Sequence, residues 1–378
     1  MNELIDLEFP LLDSVIYLNH AAVAPWPRRT SEAVKKFAEE NCSIGARDYP
    51  NWLRKESELR RQFKILINAP NTTDIALVKN TSEALSFVAG GLDWHAGDNI
   101  VSCDEEFPSN RIPWQSLAAL GVELRQAHFP ESGTPEQALF DLVDQHTRLI
   151  SVSSIQFASG RRLDINRIGR FCREHQILFC VDAIQSIGAV EFDVQTCSAD
   201  FAMADGHKWM LGPEGLAVFY TSPAAREKLK PTQFGWHMIN DPGDYSNRPW
   251  TIAPDARRFE CGSSNMLGIH ALSSSLSLLL EIGMDAIESR LLENSSWLKK
   301  RIAEINQLEL LTPQRPEFDS GIVVFKHKEM SNDRLYQYLM EHGVVCALRG
   351  GGIRFSPHFY TSKSLIERAV KTAIEART

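Results

Sequence analysis

The stretch AMADGHKWMLGPEG sets one lysine, Lys208, directly after a histidine, His207, and between two apolar runs that read as strands, ADFAMAD (199–205) and GLAVFY (215–220). A lysine in a partly buried cleft loses hydration, its pKa falls, and the neutral amine becomes a nucleophile towards an aldehyde. A solvated surface lysine does none of this, and position alone leaves both readings open. Upstream, the apolar run ILFCVDA ends in Asp182, with Gln185 three positions on. Ligands of open α/β sheets bind beyond the carboxyl ends of strands, so this carboxylate points where a cofactor would lie. It could equally cap the next helix. Together, a lysine and a carboxylate one strand apart match what pyridoxal phosphate requires: an amine for the aldehyde, and an anion that keeps the pyridine nitrogen protonated so that the ring absorbs carbanion charge. A phosphate cradle is available in VKNTSEALSFVAGGL (78–92), where Asn80, Thr81 and Ser82 open an amphipathic helix. Free N–H groups and hydroxyls face outward there at the positive end of the helix dipole, in an arrangement that is also an ordinary N-cap.

These residues need a sheet to hold them. Short β-rich runs alternate with amphipathic stretches through the middle of the chain: NIVSC (99–103), RLISVSS (148–154), ILFCVDA (177–183), ADFAMAD and GLAVFY, with helices expected at 110–120 and 165–175. Several runs are apolar throughout, which predicts an α/β large domain, a mostly parallel sheet sandwiched by helices. From Ser264 the texture becomes helical over 271–305; strands at 321–326, 343–348 and 353–356 and helices at 333–342 and 362–376 then predict a smaller α+β C-terminal domain. The expected division is 15–263 for the large domain and 264–378, with 1–14, for the small one. The run 233–265 has little periodicity and reads as a long irregular excursion, of the kind that carries function or an interface.

Composition narrows the field. A net charge of −8 argues against a broad nucleic-acid or anionic-membrane surface, since both polyanions need a cationic face. The seven cysteines form no C-x-x-C pair, so free thiols in a cytoplasmic setting are expected and a zinc site is not. The eleven histidines show no H-E-x-x-H spacing, and no metal is expected. The first twenty residues carry acids where a signal peptide would be basic, and no run approaches the roughly 18 apolar residues of a spanning helix. LRGGGIR lacks the Gly-Lys-Ser/Thr of a nucleotide loop.

With these pieces assembled, the chain resembles the fold-type I pyridoxal-phosphate enzymes of the class V aminotransferase family, which includes cysteine desulfurases, selenocysteine lyase, kynureninase and isopenicillin-N-epimerase-like proteins. The likeness runs from YLNHAAVAP (17–25) to IRFSPHFYTS (353–362) and is strongest in VDAIQS and GHKW. It implies a seven-stranded type of sheet in the large domain, pyridoxal 5'-phosphate as cofactor, Lys208 as the Schiff-base lysine and Asp182 as partner of the pyridine nitrogen. It also implies that Gln156 and Gln185 reach the phenolic oxygen, and that Thr81, Ser82 and His207 contact the phosphate. Phe107, in EEFPSN, stands where desulfurases place a histidine over the ring, and a phenyl ring can stack there without donating a proton. Family dimers complete each site from the other subunit, which implies a homodimer with Ser263 and Trp236 in that role. Arg354 matches the arginine that clamps the substrate α-carboxylate, with Arg349 assisting, and Asn19 and His20 are implied substrate contacts.

The activity implied is that of a pyridoxal-phosphate enzyme on a small-molecule L-amino acid, aminotransferase-type or lyase-type, without a catalytic cysteine. A cysteine/cystine C–S lyase or desulfurase-like enzyme, an isopenicillin-N-epimerase-like epimerase, and a catalytically lapsed scaffold of the same fold are the alternatives. Two departures bear on the choice. Desulfurases carry a cysteine on a loop before the carboxylate arginine, whereas LRGGGIRFSP is short and has none, and Cys346 reads as part of a strand. Asp205 stands where several relatives have a serine near the phosphate, so its carboxylate must face away, bind a basic neighbour, or be protonated.

Overall fold

The structure, a computed structural model, describes residues 2–376 apart from 13, 131–132, 245 and 247–248. Tyr245, Asn247 and Arg248 of the expected excursion therefore lie outside the described residues.

Thirteen strands are described: β1 Ile16–Tyr17, β2 Ile75–Val78, β3 Asn99–Cys103, β4 Glu123–Ala127, β5 Thr147–Ser153, β6 Leu178–Asp182, β7 Phe201–Asp205, β8 Ala217–Thr221, β9 Leu308–Leu310, β10 Val323–His327, β11 Val344–Val345, β12 Ala347–Arg349 and β13 Gly352–Phe355. Seven of them form one sheet in the order β2-β8-β7-β6-β5-β3-β4. Every pairing from β7 to β4 is parallel, and β8 alone runs against its neighbours. The expected mostly parallel seven-stranded sheet is thus present, and it includes two strands absent from the sequence reading, the apolar β2 and the polar β4. Strands β2, β3, β7 and β8 are buried along their whole length, because helices cover both faces of the sheet.

Parallel register is what makes a site. Ser153 of β5 pairs with Asp182, and Asp182 with Met203, so β5, β6 and β7 end together at one edge. Strand β2, parallel to them across β8, ends at that edge too and runs into the helix Thr81–Gly91, while β3 ends in the turn that carries Glu106 and Phe107.

A second sheet, antiparallel throughout, has the order β12-β13-β10-β9. Strands β1 and β11 pair in parallel beside it, and a bridge from Asn19 to Ser356 continues that seam. The expected long helix over 271–305 is two helices, Met266–Ile282 and Met284–Ala303, bent by 85°. The break falls at Gly283, whose φ of +88° lies in a region that only glycine enters freely. The first helix, which begins just past the expected division at 263, packs Ile269, Leu272, Leu276 and Leu279 into the core under the large sheet. The second sends Leu298 and Ile302 into the separate core of the small sheet. The helix expected over 110–120 is likewise fragmented, into Pro108–Asn110, Ile112–Gln115 and Ser116–Leu120.

Among the described residues no single helix is long and apolar enough to cross a membrane, and all seven cysteines are free.

Candidate active site

A cleft of ≈ 380 Å³ opens at the carboxyl edge of the large sheet, lined in part by Asp182, Asp205, His207, Lys208 and Phe107 from that edge. Arg349 and Arg354 of the small sheet close its other side.

Lys208 follows β7 and is 9% exposed. Burial is the largest influence on its ammonium and pushes the pKa down; Arg354 pushes the same way, while Asp182 and Asp205 oppose them. Its Nζ lies 5.6 Å from the centre of the Phe107 ring. Asp182, 2% exposed, accepts a hydrogen bond from the Ile184 N–H at 3.1 Å. Burial pushes its carboxyl up, and nearby Glu106 adds to that while Lys208 counters it. The two groups therefore shift towards each other, and each is poised to lose its charge unless the other, or a ligand, compensates.

The helix Thr81–Gly91 starts at the cleft. Asn80 caps it by accepting from the Glu83 N–H at 2.9 Å, and the N–H groups of the first turn have no intrahelical acceptor. Ser82 Oγ donates to Ser109 Oγ at 2.8 Å, and Thr81 Oγ1 accepts the Asp205 N–H at 3.2 Å. Asp205 faces a basic neighbour, one of the three arrangements its position allowed: its Oδ1 lies 2.9 Å from His207 Nδ1, and both atoms are buried without a hydrogen bond.

Arg354 is 3% exposed and sits on β13 opposite Val324 and Ala347. One terminal nitrogen donates to the Phe157 carbonyl at 2.8 Å, while its Nε is buried without a partner. Burial and the nearby Arg349 push its pKa down to about 10, which leaves it a cation at neutral pH. Arg349 is exposed at the rim, its Nη1 on the Leu348 carbonyl.

Other expected residues lie elsewhere. Gln185 and Gln156 do not line the cleft. Gln185 donates to the Ala21 carbonyl at 3.1 Å and accepts from Trp209 Nε1 at 2.7 Å, so both ends of its amide are committed. Gln156 donates to Glu106 at 2.9 Å. His20, expected as a substrate contact, is fully buried: Nδ1 is 2.7 Å from the Ser356 carbonyl and Nε2 2.6 Å from Tyr360 Oη. Burial pushes its pKa down to about 4. Asn19 bridges to Ser356 through its backbone, and it too is absent from the cleft lining. Ser263 lines a different groove with Gln233 and Asn265, and Trp236 stands 42% exposed beside Phe234 and Trp250.

Three contributors escaped the sequence reading. Ser109 and Phe157 line the cleft. Glu106, a buried acid next to Phe107 in the chain, accepts from the Ser153 N–H at 2.6 Å, from Gln156 at 2.9 Å and from Asn110 at 3.0 Å, and raises Asp182. Its only signal was a second acid in EEFP.

The donors fit a pyridoxal phosphate. Hydroxyls and free N–H groups gather at one helix terminus, a buried carboxylate and a depressed lysine stand one strand apart, and an aromatic ring borders the space between. The orphaned Arg354 Nε is what a carboxylate ligand would satisfy. No cysteine lines the cleft. Cys346 is 2% exposed, and burial pushes its thiol up to about 12, while the β12–β13 connection is a tight turn through Gly350 and Gly351, with φ of +64° and +78°.

The sequence profile described as Aminotransferase class-V matches residues 16–364. A probable cysteine desulfurase of Methanothermobacter thermautotrophicus is 31% identical over 97% of this chain and 96% of its own length. A structure of the cystine C–S lyase C-DES with its reaction product, cysteine persulfide, aligns with a TM-score of 0.88 at 25% identity, over 97% of this chain and 99% of that one. A lysine variant of C-DES with glycine covalently linked to the PLP cofactor aligns with a TM-score of 0.90 at 23% identity, over 97% and 98%.

Proposed function

The chain belongs to the class V aminotransferase family, whose members are pyridoxal-phosphate enzymes, and on that premise we propose that it is a C–S lyase acting on cysteine or cystine. The observation that carries this reading is a cleft with the lysine, the carboxylates and the arginine of the family but no thiol, so sulfur would leave with a product and not on the protein.

The bound cofactor supplies an electron sink for the pair of electrons left when the substrate Cα–H bond breaks. Lys208 would hold its aldehyde carbon, Asp182 its ring nitrogen, and Thr81, Ser82 and His207 its phosphate. Phe107 would cover one ring face and keep water from it. Arg354 would clamp the substrate carboxylate, with Arg349 at the rim, and so fix which Cα bond stands upright on the ring. Lys208, displaced by the substrate amine and already biased towards neutrality, would take the Cα proton and could return it to the departing sulfur. With cystine, Cβ–S cleavage and hydrolysis of the remaining enamine give cysteine persulfide, pyruvate and ammonia, with one water consumed.

Two supporting proposals accompany this. A homodimer would bring Ser263 and Trp236, which do not line the cleft of their own chain, to the partner's site. Free, mostly buried thiols support a reducing, cytoplasmic setting.

Product analysis tests the function. Incubation with cystine should release pyruvate, ammonia and persulfide sulfur in equal amounts. Alanine from cysteine would mean desulfurase chemistry, and amino transfer to a keto acid without sulfur release would refute the lyase reading.

A further inference from the structure

We infer that Phe157 is a specificity-determining residue, a fixed aromatic wall that selects substrates with an uncharged sulfur bonded to Cβ. This rests on the reading of the cleft as that of a C–S lyase on cysteine or cystine.

Phe157 ties together the two groups that a substrate must reach at once. Its carbonyl accepts from the Arg354 guanidinium at 2.8 Å, while its ring meets the Phe107 ring edge-on, with centres 5.0 Å apart and planes at 78°. The Phe107 ring centre in turn lies 5.6 Å from Lys208 Nζ. The two rings therefore link the carboxylate clamp to the amine that takes the Cα proton, and both line the cleft. A substrate with its carboxylate on Arg354 and its Cα at Lys208 would present its Cβ substituent to that aromatic corner. Ala21 and Ala22, also in the lining, bring only methyl side chains.

The backbone behind the ring is held on two sides. The turn that carries Phe157 is closed by the Gly160 N–H on the Gln156 carbonyl at 3.0 Å and by the Gln156 N–H on the Arg161 carbonyl at 2.9 Å. The β12–β13 turn rests against it, so closely that a Cβ on Gly350 would lie 2.4 Å from the Ala158 carbonyl oxygen. Sulfur is polarizable and packs favourably against an aromatic ring, often at its edge, with a contact worth about two- to tenfold in affinity. A ring fixed beside the place where the Cβ substituent must lie gives that preference without spending conformational entropy on binding.

The test compares S-methylcysteine with norvaline, which differ only in a sulfur for a methylene. Equilibrium dialysis uses the Lys208→Ala protein loaded with pyridoxal phosphate, which lacks the amine that takes the Cα proton and so reads binding without turnover. It is run alone and with Phe157→Tyr or Phe157→Leu added. S-methylcysteine should bind about two- to tenfold more tightly than norvaline to the parent and to Phe157→Tyr, and no more tightly to Phe157→Leu, with near-ultraviolet circular dichroism alike in all three. Equal affinities in the parent, binding of neither amino acid, a preference that survives in Phe157→Leu, or its loss in Phe157→Tyr would overturn the proposal. Wild type assayed in parallel with cystine and cysteine keeps the two readings apart. Sulfur release without the binding preference sinks this proposal alone; no sulfur release from either substrate sinks the lyase reading, and this proposal with it.

Discussion

Single residues carry the chemistry here through what surrounds them. Lys208 and Asp182 were legible because a charged residue at the end of an apolar strand is costly unless it works, and the structure buries both. The glutamines show what a motif leaves open: Trp209 and the Ala21 carbonyl hold both ends of the Gln185 amide, whereas Gln156 donates to Glu106 and keeps its amide oxygen buried without a partner. No sequence pattern reveals which partner a buried amide finds. Arg354 offers the cleanest test at this scale. Its orphaned Nε and depressed pKa mark a cation held ready for a carboxylate. Arg354→Gln should lower kcat/KM for amino-acid substrates roughly 10- to 100-fold, the worth of a charge-assisted pair, chiefly through KM. Binding of decarboxylated amine analogues should change little. An equal loss for both would show that Arg354 only shapes the fold.

Elements set the distances between those residues. Helix and strand periodicity predicted β3, β5, β6, β7 and β8 to within a residue or two, because buried parallel strands are apolar along their length. The long helix was misjudged because periodicity continues across Gly283 while the backbone there takes a φ of +88°. Also invisible was the seam between the two ends of the chain, where β1 pairs with β11 across more than three hundred residues and His20 is locked between Ser356 and Tyr360. That seam has a pH signature. The folded pKa of His20, about 4, lies below its unfolded value of 6.5, so the folded state binds fewer protons in between. The stability this contributes is fully present above about pH 6.5 and is lost as the pH falls towards 4, on the order of 3 kcal/mol. His358 is depressed as well and adds to the same slope. Chemical denaturation across that range should show the loss, and His20→Gln should flatten part of it. A wild-type profile flat between those limits would contradict a buried neutral His20.

At the scale of the whole molecule, one edge of a parallel sheet gathers groups from β2, β3, β6 and β7, and the small sheet supplies the arginines. Sequence alone reached the parallel sheet and its carboxyl edge because five apolar runs alternate with helical stretches, but it carried no strand order. Phe234, Trp236 and Trp250 form an exposed aromatic cluster on the irregular excursion, 64%, 42% and 54% exposed. If two copies meet here, sedimentation gives a dimer, and Phe234→Asp with Trp236→Asp gives monomers that lose cofactor. A monomeric wild type that keeps its cofactor would refute shared sites. The account as a whole stands on one covalent assignment, and reduction of the protein with borohydride after loading with pyridoxal phosphate tests it directly. Peptide mass spectrometry should find the reduced pyridoxyl group on Lys208, with the visible absorption lost on reduction; a protein that stays colourless after loading, or a label confined to other lysines, would contradict it.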